Sequence, residues 1–233
     1  MKINDSTVLV TGANRGLGRE LARQALERGA RKVYATARRP ETIDLPGVHA
    51  LRLDVTDPVT VVAAAEVAHD VDVVVNNAGV ATIQNLLTGD PDLIRLEMDT
   101  HFWGTLDVTR TFAPVLARNG GGAILNVMSV LSFRVYPGNG AYAAAKAAEW
   151  ALTHSTRLEL AGQDTQVTGV HLSSTDTDMM AGWDVPKNDP ADVVRAALDG
   201  LEAGQQEVLA DDDTRQAKAL LSGTPEELYA PFA

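Results

Sequence analysis

The sequence predicts an α/β protein with a doubly wound sheet of parallel strands and helices on both faces. Two observations predict this fold class. Short apolar runs rich in β-branched residues alternate with longer helical patterns, and such runs are typical of a parallel sheet covered on both faces. A glycine-rich turn joins the first run to the first helix, as in doubly wound folds with right-handed crossovers.

Seven segments have the strand pattern. They are residues 7–10, 32–36, 48–53, 71–75, 123–127, 166–171 and 207–210. Three helices are predicted to begin with a capping aspartate and a proline in the first turn, at Asp57-Pro58, Asp90-Pro91 and Asp189-Pro190. We expect the helix after Pro91 to be broken or bent, and the segment near Pro114 to close it before Asn119-Gly120-Gly121-Gly122. The acidic triplet at 211–213 is expected to be a solvated turn.

The composition limits the classes of partner and the cellular compartment that we expect. The chain has 233 residues, 45% of them hydrophobic, with a net charge of −11 and no cysteine. The acidity argues against nucleic acid as the main partner, and without cysteine there is no thiolate nucleophile or thiolate metal site. The apolar runs are too short to cross a bilayer, and we expect no signal segment. We therefore expect one domain over residues 1–233, with no metal, in the cytoplasm.

The turn Thr11-Gly12-Ala13-Asn14-Arg15-Gly16-Leu17-Gly18 is a candidate nucleotide site. Its glycines allow a tight turn, close approach of the backbone to phosphate, and close packing of helix on strand. The free N–H groups and positive dipole end of the helix favour a pyrophosphate. The alternative is a purely structural turn.

Arginines follow the second strand, where an NAD site has a carboxylate for the ribose 2′-hydroxyl. The strand ends in Ala37-Arg38-Arg39, and Arg15 lies in the glycine turn. A guanidinium matches the 2′-phosphate of NADP in charge and geometry, so these arginines favour NADP(H) over NAD(H). The alternative is that Arg38 and Arg39 are only solvated charges at a strand end.

The next two strand ends add candidates for the cofactor site. Asp54 and Val55 follow the third strand. Asp54 either accepts a hydrogen bond from an adenine amino group or serves only as a turn residue before Asp57. Asn76-Asn77-Ala78-Gly79 follows the fourth strand, and its short amides and glycine allow backbone approach to a ligand. A plain turn explains that composition equally well.

Tyr142 and Lys146 are four residues apart in an alanine-rich run. Alanine favours helix, so the two side chains share one helix face. A lysine beside a tyrosine favours the phenolate and lowers the pKa of the phenol, which makes it a usable proton donor near neutral pH. The alternative is a surface lysine beside a half-buried tyrosine.

These motifs occur in an order that resembles the short-chain dehydrogenase/reductase family over essentially the whole chain. The set is Thr11-Gly12-x-x-x-Gly16-x-Gly18, Asn76-Asn77-Ala78-Gly79, Ser129 and Tyr142-x-x-x-Lys146. The resemblance implies a Rossmann-type fold with seven parallel strands and a nicotinamide cofactor. It also implies hydride transfer between that cofactor and a carbonyl or alcohol. A cofactor part of about residues 1–130 would precede a catalytic and substrate part of about 129–233.

The resemblance also implies roles for single residues. Tyr142 would protonate the alkoxide as general acid, and act as the base in the oxidative direction. Lys146 would lower the pKa of that tyrosine and bind the nicotinamide ribose. Ser129 would hydrogen-bond the substrate oxygen, and Ser132 is a nearby rival that fits the family spacing less well.

Further matches concern the cofactor. Asp54 matches the family's adenine contact, Asn76 a residue near the adenine ribose, and Thr177 the contact to the nicotinamide carboxamide. Arg15 and Arg38 fall where basic residues accompany the use of NADP in the family.

The chain departs from the family pattern at two places. His101 stands where the family has an asparagine that holds a water of the proton relay and opens a kink in its helix. Histidine has a donor and an acceptor, so it either replaces that relay, fills the water's place and slows turnover, or simply packs in the helix. Leu172 and Ser173 stand where the family has proline and glycine, so this turn lacks the freedom of glycine.

We expect the substrate to be an apolar or aromatic ketone. The flap region between residues 179 and 189 offers adaptable apolar area. The pocket candidates are Leu131, Phe133, Val135, Tyr136, Ser173, Met179, Met180 and Trp183. The alternative is that several of them simply pack the core.

The leading functional hypothesis is an NADPH-dependent carbonyl reductase, reversible as an alcohol dehydrogenase, acting on small molecules. Family members usually pair through the helix of Tyr142, which is rich in alanine here, so we expect a homodimer or homotetramer. The alternative function is a catalytically impaired NADP(H)-binding sensor or interaction protein, which His101, Leu172 and Ser173 motivate.

Overall fold

Seven parallel strands form one sheet at the centre of the computed structural model, which describes residues 1–229. The strands are β1 (Thr7–Val10), β2 (Lys32–Ala37), β3 (His49–Arg52), β4 (Val73–Asn76), β5 (Gly122–Val127), β6 (Thr165–His171) and β7 (Glu207–Leu209). Their order across the sheet is β3-β2-β1-β4-β5-β6-β7, and each neighbouring pair is parallel. The predicted fold class, a doubly wound Rossmann-type sheet, is confirmed.

Helices cover both faces of this sheet. They are α1 (Gly16–Glu27), α2 (Pro58–Val67), α3 (Pro91–Met98), α4 (Thr105–Arg118), α5 (Gly140–Leu160), α6 (Pro190–Glu202), α7 (Asp212–Ala219) and α8 (Pro225–Tyr229). Asp57, Asp90 and Asp189 cap α2, α3 and α6 by accepting hydrogen bonds from main-chain amides two residues on. The aspartate-proline pattern therefore predicted three helix starts correctly. Across residues 1–229, no helix has the length and apolar character needed to cross a membrane.

Alternate residues of the strands pack on opposite faces of the sheet. On one face, Val8 and Val10 of β1 belong to a buried cluster with Leu198 of α6. On the other face, Leu9 packs in a cluster with Phe112 of α4. All five side chains are at most 1% exposed, and burying each contributes about 1.5–3 kcal/mol. This alternation fixes which side chains face the helices, and it holds the strand ends in register.

The helical segment after Pro91 is bent, as expected. Residues Asp99–Gly104 form a π-helix between α3 and α4, a wider turn that often occurs at functional sites. The expected closure before Asn119 is confirmed, because α4 contains Pro114 and ends at Arg118 with Asn119 as its C-cap. Gly120, with a φ of +91°, adopts a left-handed conformation just beyond the helix end, a position where glycine is favoured.

Candidate active site

The predicted site residues lie along the carboxyl edge of the sheet, around the point where the strand order reverses between β1 and β4. In open α/β sheets the crevice at this point binds ligands. The glycine turn follows β1, residues 77–79 follow β4, and Ser129 follows β5. The fold thus brings together segments that are more than a hundred residues apart in the sequence.

The glycine turn has the geometry of an anion site. Gly12 and Gly16 have φ values of +66° and +52°, a region that favours glycine. A Cβ on Gly18 would overlap the carbonyl oxygen of Gly12. Arg15 caps α1 with an extended backbone and no side-chain hydrogen bond, so no side chain covers the first amides of this helix. These open N–H groups at the positive end of the helix dipole fit a pyrophosphate.

Residues 77 and 78 fasten the end of β4 to this turn. The hydroxyl of Thr11 accepts hydrogen bonds from the amides of Asn77 (2.9 Å) and Ala78 (3.0 Å). The Asn77 side chain donates to the carbonyl of Thr11 at 2.8 Å. A Cβ on Gly12 would lie 2.9 Å from the Cα of Ala78, so the two segments are in direct contact.

The structure corrects the expected position of Asn76. We expected it near the adenine ribose, but its side chain is buried and donates to Oδ1 of Asn126 at 2.8 Å. Successive side chains of a strand point to opposite faces, and Asn76 is the last residue of β4. It is therefore a core residue, whereas Asn77 contacts the glycine turn.

The cationic side of the crevice is formed by Arg38 and Arg39, which directly follow β2. Both are exposed, and neither side chain has an ion pair or hydrogen bond to another residue within 1–229. Arg15 approaches Asp178 at 3.6 Å, with both side chains 69% exposed. This surface pair is weak, so the guanidinium groups of Arg15, Arg38 and Arg39 are all available to a ligand.

Asp54 and Val55 have clear structural roles. Oδ1 of Asp54 accepts hydrogen bonds from the amide (3.0 Å) and the hydroxyl (2.8 Å) of Thr56, so the turn role is real. Val55 is buried, and a Cβ on Gly104 would lie 2.9 Å from its Cβ. Contact of either residue with adenine stays a prediction.

Ser129 lies at the amino end of a short 3-10 turn, Val130–Ser132, after β5. Its hydroxyl accepts a hydrogen bond from the amide of Leu131 at 3.1 Å. The hydroxyl of Ser132 instead accepts from the amide of Ser129 at 3.4 Å. This capping pattern holds Ser129 in place and gives Ser132 a structural role.

Tyr142 and Lys146 share a face of α5, as predicted, and Nζ of Lys146 lies 5.8 Å from the centroid of the Tyr142 ring. Burial raises the pKa of the Tyr142 phenol above its ordinary value. The charge of Lys146 and a hydrogen bond with Ser129 act to lower it, and the charge of Glu149 acts to raise it. The expected net lowering is therefore wrong for the chain alone, although the lysine acts in the expected direction.

Lys146 is a buried ammonium group that the chain itself stabilises. Its Nζ donates to the carbonyl of Val127 at 2.9 Å and to Oε2 of Glu149 at 2.7 Å. Burial alone would lower the pKa of Lys146, but the charge and hydrogen bond of Glu149 together with the charges of Tyr142 and Glu97 outweigh it, and the pKa lies above its ordinary value. Lys146 is therefore a cation at neutral pH.

His101 is buried beside this pair, on the π-helix. Its ring meets that of Tyr142 edge-on, with centroids 5.2 Å apart, and a Cβ on Gly79 would lie 2.8 Å from its Cε1. Two buried carboxylates, Glu97 and Glu149, lie on either side of the imidazole. Neither glutamate was predicted from the sequence, although Glu97 precedes His101 by one helical turn and Glu149 follows Lys146 by one helical turn. Among residues 1–229, no group of three or more acidic or histidine side chains is placed to hold a metal ion.

The turn after β6 is built by Asp211 in place of proline and glycine. Asp211 is only 8% exposed, so the expected solvated turn is wrong at this residue. Its Oδ2 accepts hydrogen bonds from the amide of Ser173 at 2.7 Å and from the side chain of Asn188 at 2.9 Å. Its Oδ1 accepts from the amide of Thr214 at 2.8 Å and caps α7. One carboxylate thus ties the β6 turn, the flap and α7 together.

The expected substrate residues lie at three places: a cavity, a core cluster and the flap. Tyr136 lines a cavity of about 280 Å³ together with Leu86, Val135 and Tyr229. Leu131 is buried and packs in a core cluster, so its predicted place on the pocket wall is wrong.

The flap carries the remaining candidates. Thr177 precedes the short turn Asp178–Met180, and a Cβ on Gly16 would lie 3.5 Å from its Cβ. Met179 and Trp183 are 47% and 46% exposed, and Met180 is half-buried. Contact of these side chains with a cofactor or substrate stays a prediction.

Comparison with known sequences agrees with this site. Residues 6–187 match the short chain dehydrogenase family model. The chain is 32% identical over 218 residues to 1-deoxy-11-beta-hydroxypentalenate dehydrogenase of Streptomyces avermitilis, which covers 87% of this chain and 81% of that protein. It is 33% identical over 176 residues to the oxidoreductase calM of Penicillium decumbens, covering 67% of this chain but only 56% of that protein.

Solved structures give the same result. A short chain dehydrogenase from Burkholderia cenocepacia, in complex with NADP, has a TM-score of 0.94 and 37% identity, covering 99% of this chain and 98% of that one. A short-chain dehydrogenase from Sphingobium yanoikuyae, in complex with NADPH, has a TM-score of 0.82 and 26% identity, covering 98% and 96%. With its sheet order, glycine turn and Ser-Tyr-Lys arrangement, the chain belongs to the short-chain dehydrogenase/reductase family of oxidoreductases.

Proposed function

We propose that this protein is an NADP(H)-dependent carbonyl reductase, reversible as an alcohol dehydrogenase, that acts on apolar or aromatic ketones and secondary alcohols. The observation that carries the proposal is the arrangement of Ser129, Tyr142 and Lys146 beside a glycine turn with open amides. A bound nicotinamide cofactor would supply the hydride for the carbonyl carbon.

The residues of this chain would supply the rest of the chemistry. Tyr142 would donate its phenolic proton to the carbonyl oxygen as negative charge develops there. The hydroxyl of Ser129 would hold that oxygen by a hydrogen bond. The Lys146 ammonium would stabilise the phenolate that remains. In the oxidative direction, the Tyr142 phenolate would take the proton from the alcohol.

The preference for NADP(H) rests on Arg15, Arg38 and Arg39. A 2′-phosphate would find these guanidinium groups at the end of β2, and no carboxylate stands there to hold a 2′-hydroxyl. The NADP and NADPH complexes of the two structural relatives support the same choice.

An apolar substrate is the best fit to the cavity beside Tyr136. Its wall includes Leu86, Val135, Tyr136 and Tyr229, and such pockets select apolar ligands with a few polar anchors. The flap residues Met179, Met180 and Trp183 would extend this surface. The name of the Streptomyces avermitilis relative denotes a dehydrogenase of a hydroxy compound, which supports the alcohol and carbonyl chemistry.

We also propose that the protein forms a homodimer or homotetramer in the cytoplasm. Leu158 of α5 and Trp103 beside α4 are 80% and 53% exposed, and burying such side chains favours association. Light scattering at micromolar concentration tests the assembly, and a monomeric mass would contradict it.

The second candidate function is an NADP(H)-binding sensor without catalysis. The raised pKa of the Tyr142 phenol and the packing of His101 against its ring favour it. This function predicts that NADPH binds in calorimetry while no ketone is reduced.

One screen separates the two functions. Aldehydes, ketones and secondary alcohols are tested with both cofactors, using the wild type, Tyr142→Phe and His101→Asn. If the protein is a reductase, the wild type reduces a ketone with NADPH, and Tyr142→Phe lowers this turnover by about 10²-fold or more. NADPH binding stays intact in the wild type and in Tyr142→Phe. Turnover that is unchanged in Tyr142→Phe would overturn the assignment of the acid.

A further inference from the structure

Four buried ionisable side chains, Lys146 among them, lie next to one another in the core. Glu97, His101, Lys146 and Glu149 are 0%, 1%, 5% and 2% exposed. Burying one unpaired charge costs several kcal/mol, and a buried carboxylate persists only where donors compensate it. Two buried carboxylates beside one histidine and one lysine therefore need an explanation that packing does not provide.

The four side chains follow one another in space. Nζ of Lys146 is 2.7 Å from Oε2 of Glu149, and this oxygen is 3.9 Å from Nδ1 of His101. Nε2 of His101 is 3.3 Å from Oε2 of Glu97. Oε1 of Glu97 accepts a hydrogen bond from the hydroxyl of Thr82 at 2.7 Å, and Thr82 is half-exposed. The line thus leads from Lys146 to the surface.

The surroundings of His101 assign its protons. Nε2 lies 2.9 Å from the carbonyl of Val80 and 3.3 Å from the carboxylate of Glu97, and the amide of Val80 lies further away, at 3.4 Å. The two nearer groups are acceptors, so we assign a hydrogen to Nε2. Nδ1 has no hydrogen-bond partner and faces Glu149. It can hold the second proton of an imidazolium, whose two N–H groups would then point at two carboxylates.

Glu97 is suited to that arrangement. Burial alone would raise the pKa of the Glu97 carboxyl, but hydrogen bonds from His101 and from the amide and hydroxyl of Thr82 outweigh it. The pKa lies below its ordinary value, so Glu97 is a carboxylate beside Nε2 of His101.

We propose that Glu149 is a positioning residue that delivers protons from His101 to Lys146. The inference rests on the proposed reductase function. After Tyr142 has given its proton to the substrate oxygen and the Tyr142 phenolate has taken one from Lys146, Glu149 passes the Nδ1 proton of the His101 imidazolium to Nζ. The N–H bond at Nδ1 breaks and an N–H bond at Nζ forms, which leaves His101 neutral with its hydrogen on Nε2. A proton from solvent must then return to Nδ1 before the next turnover.

The distance between Glu149 and His101 has to shorten before a proton can pass between them. The 3.9 Å between Glu149 and His101 is about 1 Å longer than a charge-assisted hydrogen bond. His101 lies on the π-helix Asp99–Gly104, and a shift of about 1 Å in either side chain would bring the two atoms into hydrogen-bond contact. Glu149 is also within 3.4 Å of the Thr105 hydroxyl, which holds its other oxygen.

The test compares Glu149→Gln in two backgrounds, the wild type and His101→Asn. Glu66→Gln, an exposed glutamate on α2, controls for the loss of one negative charge. We expect Glu149→Gln to lower kcat about tenfold or more while KM and the Kd for NADPH stay within about twofold. The solvent deuterium isotope effect on kcat should rise, and Glu149→Asp should recover part of the rate.

Two results distinguish proton delivery from charge balance alone. Delivery predicts a much smaller penalty for Glu149→Gln in the His101→Asn background, because the route is already cut there. An equal penalty in both backgrounds with an unchanged isotope effect would overturn the proposal.

A measurement without turnover separates this inference from the proposed function. NMR of labelled lysine in the protein without substrate should show a lower pKa for Lys146 in Glu149→Gln than in the wild type, because the compensating charge is gone. An unchanged Lys146 pKa would overturn the inference even in an active enzyme. If the pKa falls as expected but the wild type reduces no ketone, the reductase function fails instead.

Discussion

Replacing Asp211 by alanine tests how the unusual turn after β6 is held. The substitution removes the acceptor for the amides of Ser173 and Thr214 and for the side chain of Asn188. Loss of a helix cap costs about 1 kcal/mol, and one amide left without a partner in a largely buried site costs about 1–3 kcal/mol. Asn188 retains the hydroxyl of Ser173 as a partner at 3.1 Å. We therefore expect a loss of about 2–4 kcal/mol in the free energy of unfolding.

Thermal and denaturant unfolding measure this loss. For a chain of this size, about 2–4 kcal/mol corresponds to a decrease in Tm of roughly 4–16 °C. Asp212→Ala is the matched control, because its side chain is 99% exposed and, among residues 1–229, forms a surface ion pair with Arg215. The control should change stability by about 0.5 kcal/mol or less. If Asp211→Ala were no less stable than Asp212→Ala, Asp211 would not hold the turn.

Three further predictions follow from single contacts. Gly18→Ala places a methyl group against the backbone of the glycine turn, so the Kd for NADPH should rise about tenfold or more; an unchanged Kd in calorimetry would disprove the tight packing there. Arg38→Ala should raise the Kd for NADPH about tenfold and leave that for NADH unchanged, whereas equal effects on both would contradict recognition of the 2′-phosphate. His171, whose Nε2 lies 3.6 Å from Glu207, and a hydrogen bond from Lys218 at 2.9 Å lower the pKa of Glu207 from 4.5 to about 2. The contribution of Glu207 to stability is therefore present above pH 4.5 and is lost as the pH falls towards 2. Wild-type stability should therefore fall more steeply than that of Glu207→Gln over this interval in acid titration, and parallel curves would refute the pairing.

Features set by local chemistry were predictable from the sequence. The aspartate-proline caps at Asp57, Asp90 and Asp189 each depend on an amide two residues away. The alternation of Val8, Leu9 and Val10 follows from strand geometry, and the shared face of Tyr142 and Lys146 follows from the helical repeat. In each case the deciding contacts lie within a few residues of each other.

Features set by distant contacts were not predictable in the same way. Asp211 looked like part of a solvated acidic triplet, but a donor 38 residues away, the amide of Ser173, draws it into the structure. Asn76 faces Asn126 across neighbouring strands, and the motif alone does not show this orientation. Glu149 follows Lys146 by one turn in the sequence, but only the approach of His101 from another helix reveals the charged cluster.

The transfer of hydride to a carbonyl carbon, assisted by Tyr142, is the central claim. The most direct test uses NADPH deuterated at C4 of the nicotinamide on the transferred face, together with a ketone that the enzyme consumes. Mass spectrometry of the product should find one deuterium on the carbinol carbon with the wild type, and a large loss of labelled product with Tyr142→Phe. Product alcohol without deuterium, or equal labelling rates in both proteins, would contradict the account.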